Sequence, residues 1–343
     1  MPFVRKDSGP KPQISSVQPA AAIAGGELQV HGNRFRSNGE QRSRVRLGEV
    51  DAPLIIGGNE FMIVRVPEGA TVGELIVDNG HSASSPYYCN VGVTIAENLH
   101  PVANPAVDAH GHIFTTFSGS RGQKVPVAVY KVDLNYEVRP FIKDLMNATG
   151  LAIDREGMLF VSSRFDGTIY QVAPTGKMSV FAEGMGVATG LAFDDEGNLY
   201  VGDRSGTIFK IAPSLAPARQ IFVFATMEPS ISAYHLAVGP DQALYVTGPT
   251  TSSFDCIHRV TRSGEVSVYY RGLGRPQGMA FDAAGRLHVA ASLGGRKGVV
   301  RFSADGKPEL VLSGPGIVGL AFASAQTAVI ATNNSLYRVE MFS

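Results

Sequence analysis

The sequence predicts an all-β chain: a small N-terminal β-sandwich followed by a six-bladed β-propeller. Three observations carry this reading. From about residue 99 one short motif recurs six times, and each copy is followed at a fixed distance by a second apolar strand. No helix-length amphipathic stretch interrupts the series, which disfavours a TIM barrel or a doubly wound sheet. The composition agrees, with 39 Gly and 20 Pro in 343 residues, as suits many short strands joined by tight turns.

Residues 1–11 read as a flexible N-terminus. Met1 to Val17 holds Arg5, Lys6 and three prolines but no apolar core of the kind a secretory signal needs. A cytoplasmic location is the default expectation, with the periplasm or the exterior the alternative for a chain that has lost a signal. Cys89 and Cys256 fall in different predicted domains and offer no disulfide framework or metal-ligand pair. Thirty basic residues balance thirty acidic ones. That neutrality argues against nucleic acid or an anionic membrane as the main partner, and no apolar run is long enough to span a bilayer as a helix.

Residues 12–95 carry alternating strands: Ile14–Pro19, Gly25–Phe35, Val45–Gly48, Ile63–Pro67 and Gly73–Val77. Their spacing predicts the sandwich. Residues 96–343 hold the repeat. It reads Gly-Leu-Ala-Ile-Asp at 150–154, Gly-Leu-Ala-Phe-Asp at 190–194 and Gly-Met-Ala-Phe-Asp at 278–282, with degenerate copies at 104–108, 235–239 and 319–323. The second residue of every copy stands eight positions before the next apolar strand: Pro105 to Ile113, Leu151 to Leu159, Leu191 to Leu199, Leu236 to Leu244, Met279 to Leu287, Leu320 to Ala328. Asp-x-x-Gly turns close the hairpins, because Asp caps the turn and Gly accepts positive φ. Third and fourth strands follow, as in Gly167–Val172 and Val180-Phe181. Four short strands per unit describe a propeller blade. The sixth unit lacks room for its fourth strand, and Val91–Ile95 is a candidate to supply it from the other end, or else the last strand of the sandwich.

The opening residues resemble the IPT/TIG immunoglobulin-like family, through Pro-x-x-x-x-x-Gly-Gly, Gly-Asn-x-Phe and Val-Pro-x-Gly elements over about residues 12–95. The repeats resemble NHL-type propellers and the gluconolactonase and regucalcin group, with Gly-Asn-Leu-Tyr-Val-Gly-Asp at 197–203 as the best-matching run. The first resemblance implies an Ig-like sandwich. The second implies a central channel whose mouth, in the lactonases, holds a divalent metal on a Glu of the first blade and on Asn or Asp just before the Gly of later blades. The matching positions here are Ala103, Thr149, Thr189, Tyr234, Gln277 and Val318, and none is a carboxylate. Asn104 and Asn147 lie one or two residues away. Ca²⁺ or another divalent cation is therefore not supported by the ligand positions, and no cofactor is evident.

What remains is a polar, uncharged ring of Thr149, Thr189, Tyr234 and Gln277, with His235 where most repeats place Gly. Two readings compete. Either these groups satisfy backbone and water lining the channel, or they form a small-molecule pocket in which His235 is the residue suited to acid–base work. A second constellation lies after the second strands: Arg164 and Arg204 at equivalent positions, Asp203 beside Arg204, and Arg121, Lys124, Arg275, Arg296 and Lys297 on loops of blades one and five. They form either a basic rim for carboxylate or phosphate, or solvated arginines paired with Asp166, Asp203 or Asp255. The Thr247-to-Phe254 insertion lengthens blade four as a lid or as decoration. No Gly-x-Ser-x-Gly, His-Glu-x-x-His or phosphate-loop motif occurs.

The expected function is a binding protein taking a small anionic or sugar-like ligand, or a protein partner, at the channel mouth, with the first domain as spacer or docking module. A metal-dependent lactone hydrolase, a lyase using His235 with a rim Arg, and a purely structural interaction module are the rivals.

Overall fold

The computed structural model describes residues 11–36, 43–120, 122–213, 220–250 and 255–341. Every regular element among them is a β-strand. The chain divides into two compact units, one of residues 1–93 with 310–315 and 339–343, the other of residues 94–309 with 316–338.

The first unit contains two four-stranded sheets. One orders Gln13–Gln18, Glu27–Asn33, Phe61–Arg65 and Leu54–Gly57; the other orders Val50–Ala52, Arg44–Leu47, Glu74–Asp78 and Tyr87–Tyr88. Strict alternation explains the pairing of the two. Arg44 and Arg46 are exposed while Val45 and Leu47 are buried, and Glu27–Asn33 buries Leu28 and Val30 in the same manner. Those residues join Met62, Val64, Leu75 and Val77 in one apolar cluster that draws on both sheets.

The remaining strands form a propeller-like ring of six blades, each built of antiparallel strands, and the sheet of blade five continues through parallel pairing into Ala21–Ala22 and Asn90–Val91. Blade one comprises Ala106–Val107, Ile113–Thr116, Val129–Val132 and Val138–Ile142; blade two Ala148–Ile153, Leu159–Ser163, Ile169–Val172 and Met178–Ala182; blade three Ala188–Phe193, Leu199–Asp203, Thr207–Ile211 and Ile221–Thr226. Blade four comprises His235–Val238, Leu244–Thr247, Cys256–Val260 and Val266–Arg271; blade five Met279–Phe281, Leu287–Leu293, Arg296–Phe302 and Pro308–Ser313. Blade six takes Ile317–Phe322, Thr327–Thr332 and Leu336–Glu340 from the C-terminal end, and Val93–Ala96 is its outermost strand. The closing strand is thus borrowed from ahead of blade one. Each first strand touches the first strand of the next blade, and Ile317–Phe322 touches Ala106–Val107, so the cycle is complete.

Neighbouring blades bury apolar faces against each other. Phe114, Leu151 and Val161 share one cluster across blades one and two, and Phe160, Leu191 and Val201 share the next. An aromatic residue recurs one step into the second strand. Phe160 meets Phe193 at 4.9 Å, Tyr245 meets Phe281 at 5.0 Å and His288 meets Phe322 at 5.0 Å between ring centres, mostly edge-on.

Candidate functional site

Strand register brings the start of each first strand beside the end of the second. Ala148 faces Ser163, Ala188 faces Asp203 and His235 faces Thr247. The predicted ring residues and the predicted arginines therefore share one end of their blades, here called the mouth. Arg121 and Thr251–Phe254 of the insertion lie outside the described residues, as does most of the N-terminal segment.

Most of the predicted side chains are committed to the fold. Thr149 donates its hydroxyl to Asn147 O at 3.0 Å. Asn147, buried and in the left-handed region at φ 50°, donates to Gly119 O and Ser120 O and accepts from Gly122 N at 2.8 Å, which pins the loop between the second and third strands of blade one. Thr189 donates to Gly202 O at 2.9 Å and accepts from Tyr234 N at 3.1 Å, a bridge from blade three to blade four. Tyr234 donates its phenol to Glu228 O, and burial, then the charges of Glu228 and Asp203, push its pKa up to about 12. Asn104 reaches across the ring, donating to Met279 O at 2.7 Å and accepting from Leu320 N at 3.1 Å, and so ties blade one to blades five and six.

Of the predicted cations, Arg164 and Arg204 are held by carbonyls. Arg164 donates Nη2 to Gly119 O at 2.8 Å, and Arg204 donates Nε to Ser230 O and Nη2 to Ile231 O at 3.4 and 3.0 Å. Asp203 accepts from Val187 N at 2.7 Å and from the Ser205 hydroxyl rather than pairing with Arg204. Asp166 caps its own turn through Thr168 N and Tyr170. Lys124 pairs with Asp144 at 2.9 Å. Asp166 and Asp203 thus each accept from a nearby backbone N–H and a nearby hydroxyl.

Two predicted residues stand apart. His235 is only 4% exposed, and among the described residues its ring has no hydrogen-bond partner. Burial pushes its pKa down to about 4, so the imidazole is neutral at pH 7. Gln277, at the matching level of blade five, contributes its carbonyl to a 2.5 Å bond from the Thr247 hydroxyl, while its side-chain amide is uncommitted among the described residues. The structure thus brings together His235, Thr247 and Gln277 where blades four and five meet.

Sequence reasoning passed over Ser118, which occupies the blade-one position equivalent to Arg164 and Arg204. Its hydroxyl is fully buried without a partner among the described residues, and counting five residues on from the start of each second strand finds it beside the two arginines. It also passed over the opposite end of the propeller. There the motif Asp closes four of the six hairpins, with Gly239 and Ala323 in its place in blades four and six. Asp108, Asp194 and Asp282 each accept two backbone N–H bonds from their own turn. Asp282 further accepts from Arg286 Nε at 2.7 Å and His288 Nε2 at 3.0 Å. Burial alone would raise this carboxyl, but bonds from Arg286 and His288 bring it below the usual carboxylate range. Tyr200 and Tyr245 donate to Asp194 and Asp241 from the place His288 fills.

Among the described residues no three His, Cys, Asp or Glu side chains gather closely enough to hold a metal ion. The divalent metal implied by the lactonase resemblance does not fit the ring present here. At the six relevant positions this chain carries apolar, hydroxyl or amide groups.

No protein-family model matches the chain, and no curated protein sequence matches it. Solved structures do. A gluconolactonase from Xanthomonas campestris superposes with TM-score 0.61 at 16% identity, over 86% of this chain and 96% of that one. An auxiliary nutrient binding protein from Bacteroides ovatus superposes with TM-score 0.57 at 14% identity over the whole of both chains. A catalytically inactive virginiamycin B lyase from Staphylococcus aureus, solved with quinupristin, gives TM-score 0.50 at 12% identity. At such identities these likenesses concern the fold: the chain is an all-β, propeller-like protein with gluconolactonase-like and lyase-like structural neighbours.

Proposed function

We propose that this chain is a binding protein whose propeller mouth receives a small anionic or sugar-like ligand, and that its N-terminal unit is an immunoglobulin-like module of the IPT/TIG type serving as spacer or dock. One observation carries the reading. At the mouth the buried His235 imidazole on blade four and the half-buried Gln277 amide on blade five have no side-chain hydrogen bond among the described residues, and Arg204 of blade three forms no ion pair with any described carboxylate. A ligand's hydroxyls would find both a donor and an acceptor in those two groups. The charge of Arg204 favours an anionic ligand. The end-to-end likeness to nutrient-binding proteins supports the same reading.

The rival is lactone hydrolysis, favoured by the gluconolactonase-like fold. It is second because the ring lacks acidic ligands for a Lewis-acid metal. A lyase drawing on His235 is weaker still, since a base with a pKa near 4 has little affinity for a proton at pH 7. The test is a thermal-shift screen of sugar acids, neutral sugars and phosphorylated metabolites, with a lactone panel assayed alongside added Ca²⁺. Stabilisation by one compound class without lactone turnover is expected. Metal-dependent turnover, or no stabilising compound at all, would sink the binding reading.

A further inference from the structure

The outermost strands of blades one to four align residue for residue, because each breaks register with its third strand at the same level. The second position of that strand is Arg139, Ser179 and Ser267 in blades one, two and four, and Phe222 in blade three. Phe222 is 49% exposed, between Ile221 at 40% and Val223 at 65%. Both faces of this edge are therefore apolar where the sister strands alternate, and Ile221–Thr226 carries no charge and no proline.

Its backbone is open as well. The bond from Ala212 N to Gln220 O sets the alternation along the pair, so Phe222 turns its backbone groups inward while Ile221 and Val223 turn theirs outward. Blade one agrees, since Pro140 stands at the place of Val223 and its ladder forms without an N–H there. That proline blunts the edge of blade one. In blade five the outer strand is already filled, pairing in parallel with Ala21–Ala22, so a fourth strand of this ring can take a fifth. Blade three has neither protection.

A cation stands beside the bare edge. Lys210 lies opposite Phe222 on the third strand, so their side chains share a face. Its Nζ sits 5.6 Å from the ring centre of Tyr200 and 6.0 Å from that of Phe224, and it forms no ion pair among the described residues. In blade four the matching Arg259 pairs with Asp241 at 2.7 Å, whereas the corresponding Glu196 of blade three turns to Arg262 at 3.7 Å. A second copy of this chain paired edge to edge would bring Lys210 no carboxylate, because Ile221–Thr226 has none.

We propose that Ile221–Thr226 is an edge to which a partner protein adds an extended apolar segment, with an Asp or Glu of that segment meeting Lys210. Main-chain bonds to Ile221 and Val223 fix its register, Phe222 and Val223 supply apolar contact, and Lys210 selects its charge. The edge lies on the outside of the ring and stands or falls independently of the channel mouth.

The probe is a labelled peptide, Glu-Val-Thr-Val-Thr-Val-Glu, titrated against the full chain by fluorescence anisotropy, with a Lys-ended version as control. The Glu-ended peptide is expected to bind at least about threefold more tightly at low salt. Each variant copies a sister blade. Phe222→Ser is expected to weaken binding about tenfold. Val223→Pro keeps the apolar bulk but removes the outward N–H, and weakens it as well. Lys210→Gln, copying Gln171, levels the two peptides. Equal binding of both peptides to the native chain, binding of neither, or binding unchanged in Phe222→Ser overturns the site; if Val223→Pro does not fold, Phe222→Ser and Lys210→Gln decide. A concentration-dependent dimer seen by light scattering and lost in Phe222→Ser gives the edge to a second copy and overturns the partner segment.

Discussion

The two ends of the propeller use polar residues in opposite ways. At the hairpin end the polar groups are charged and saturated, with each motif Asp clamped by its own turn and, in blade five, by Arg286 and His288 as well. At the mouth they are mostly uncharged and bridge blades, as in the chain of bonds Gly150 N to Ser162 Oγ to Thr189 O. Charge that folds a hairpin can be fully neutralised locally, whereas a site that receives a ligand must keep some capacity unspent. Among the described residues the fully buried atoms without a partner include Ser118 Oγ at the mouth and His288 Nδ1 at the hairpin end.

Substitutions at the two ends sharpen this contrast. Asp282→Ala strands a buried imidazole, a guanidinium N–H and two backbone amides, and is expected to lower unfolding free energy by about 3 kcal/mol or more, read from urea denaturation. Asn104→Ala removes two bonds that close the ring and costs about 2 kcal/mol, with ligand-independent loss of Tm as the check. Acid comes next. The folded protein holds His235 near pKa 4 while the unfolded chain titrates near 6.5. Between those values the unfolded chain binds the extra proton, so stability is complete above about pH 6.5 and is lost as pH falls toward 4. For His235 this amounts to about 2 kcal/mol between pH 7 and pH 5. Burial lowers His288 in the same direction, so H288Y, which copies Tyr200 and Tyr245, should flatten the pH profile of the urea midpoint. Arg204→Gln is the smallest in stability, below about 1 kcal/mol, because the guanidinium is partly solvated. It is nonetheless expected to weaken an acidic ligand about tenfold by calorimetry. Equal loss of stability at Arg204 and Asp282 would erase the distinction between the ends.

The six repeats and their eight-residue offset were legible because the hairpin end is built from local chemistry. An Asp, a Gly two or three residues on, and an aromatic on the second strand all lie within one short window. The mouth was legible only as a set of positions. Thr149, Thr189 and Tyr234 are where the repeat placed them, yet each turns to a backbone group, because a hydroxyl serves a seam or a channel equally well and sequence does not show which carbonyl is nearer. Asn104 and His235 both stand in for glycine, and nothing in their own windows distinguishes the one that staples the ring from the one that lacks a partner. Ser118 was missed because it matches Arg164 and Arg204 in place but not in type.

The outermost strand of blade six, Val93–Ala96, precedes every other blade strand along the chain and pairs with Leu336–Glu340, which follows them all. A nascent chain therefore carries an unpaired edge until Leu336–Glu340 has been made, and the ring gains its final cooperativity in a single late step. Truncation by even a few residues past Leu336 would be felt not as a frayed tail but as a circle left unfastened.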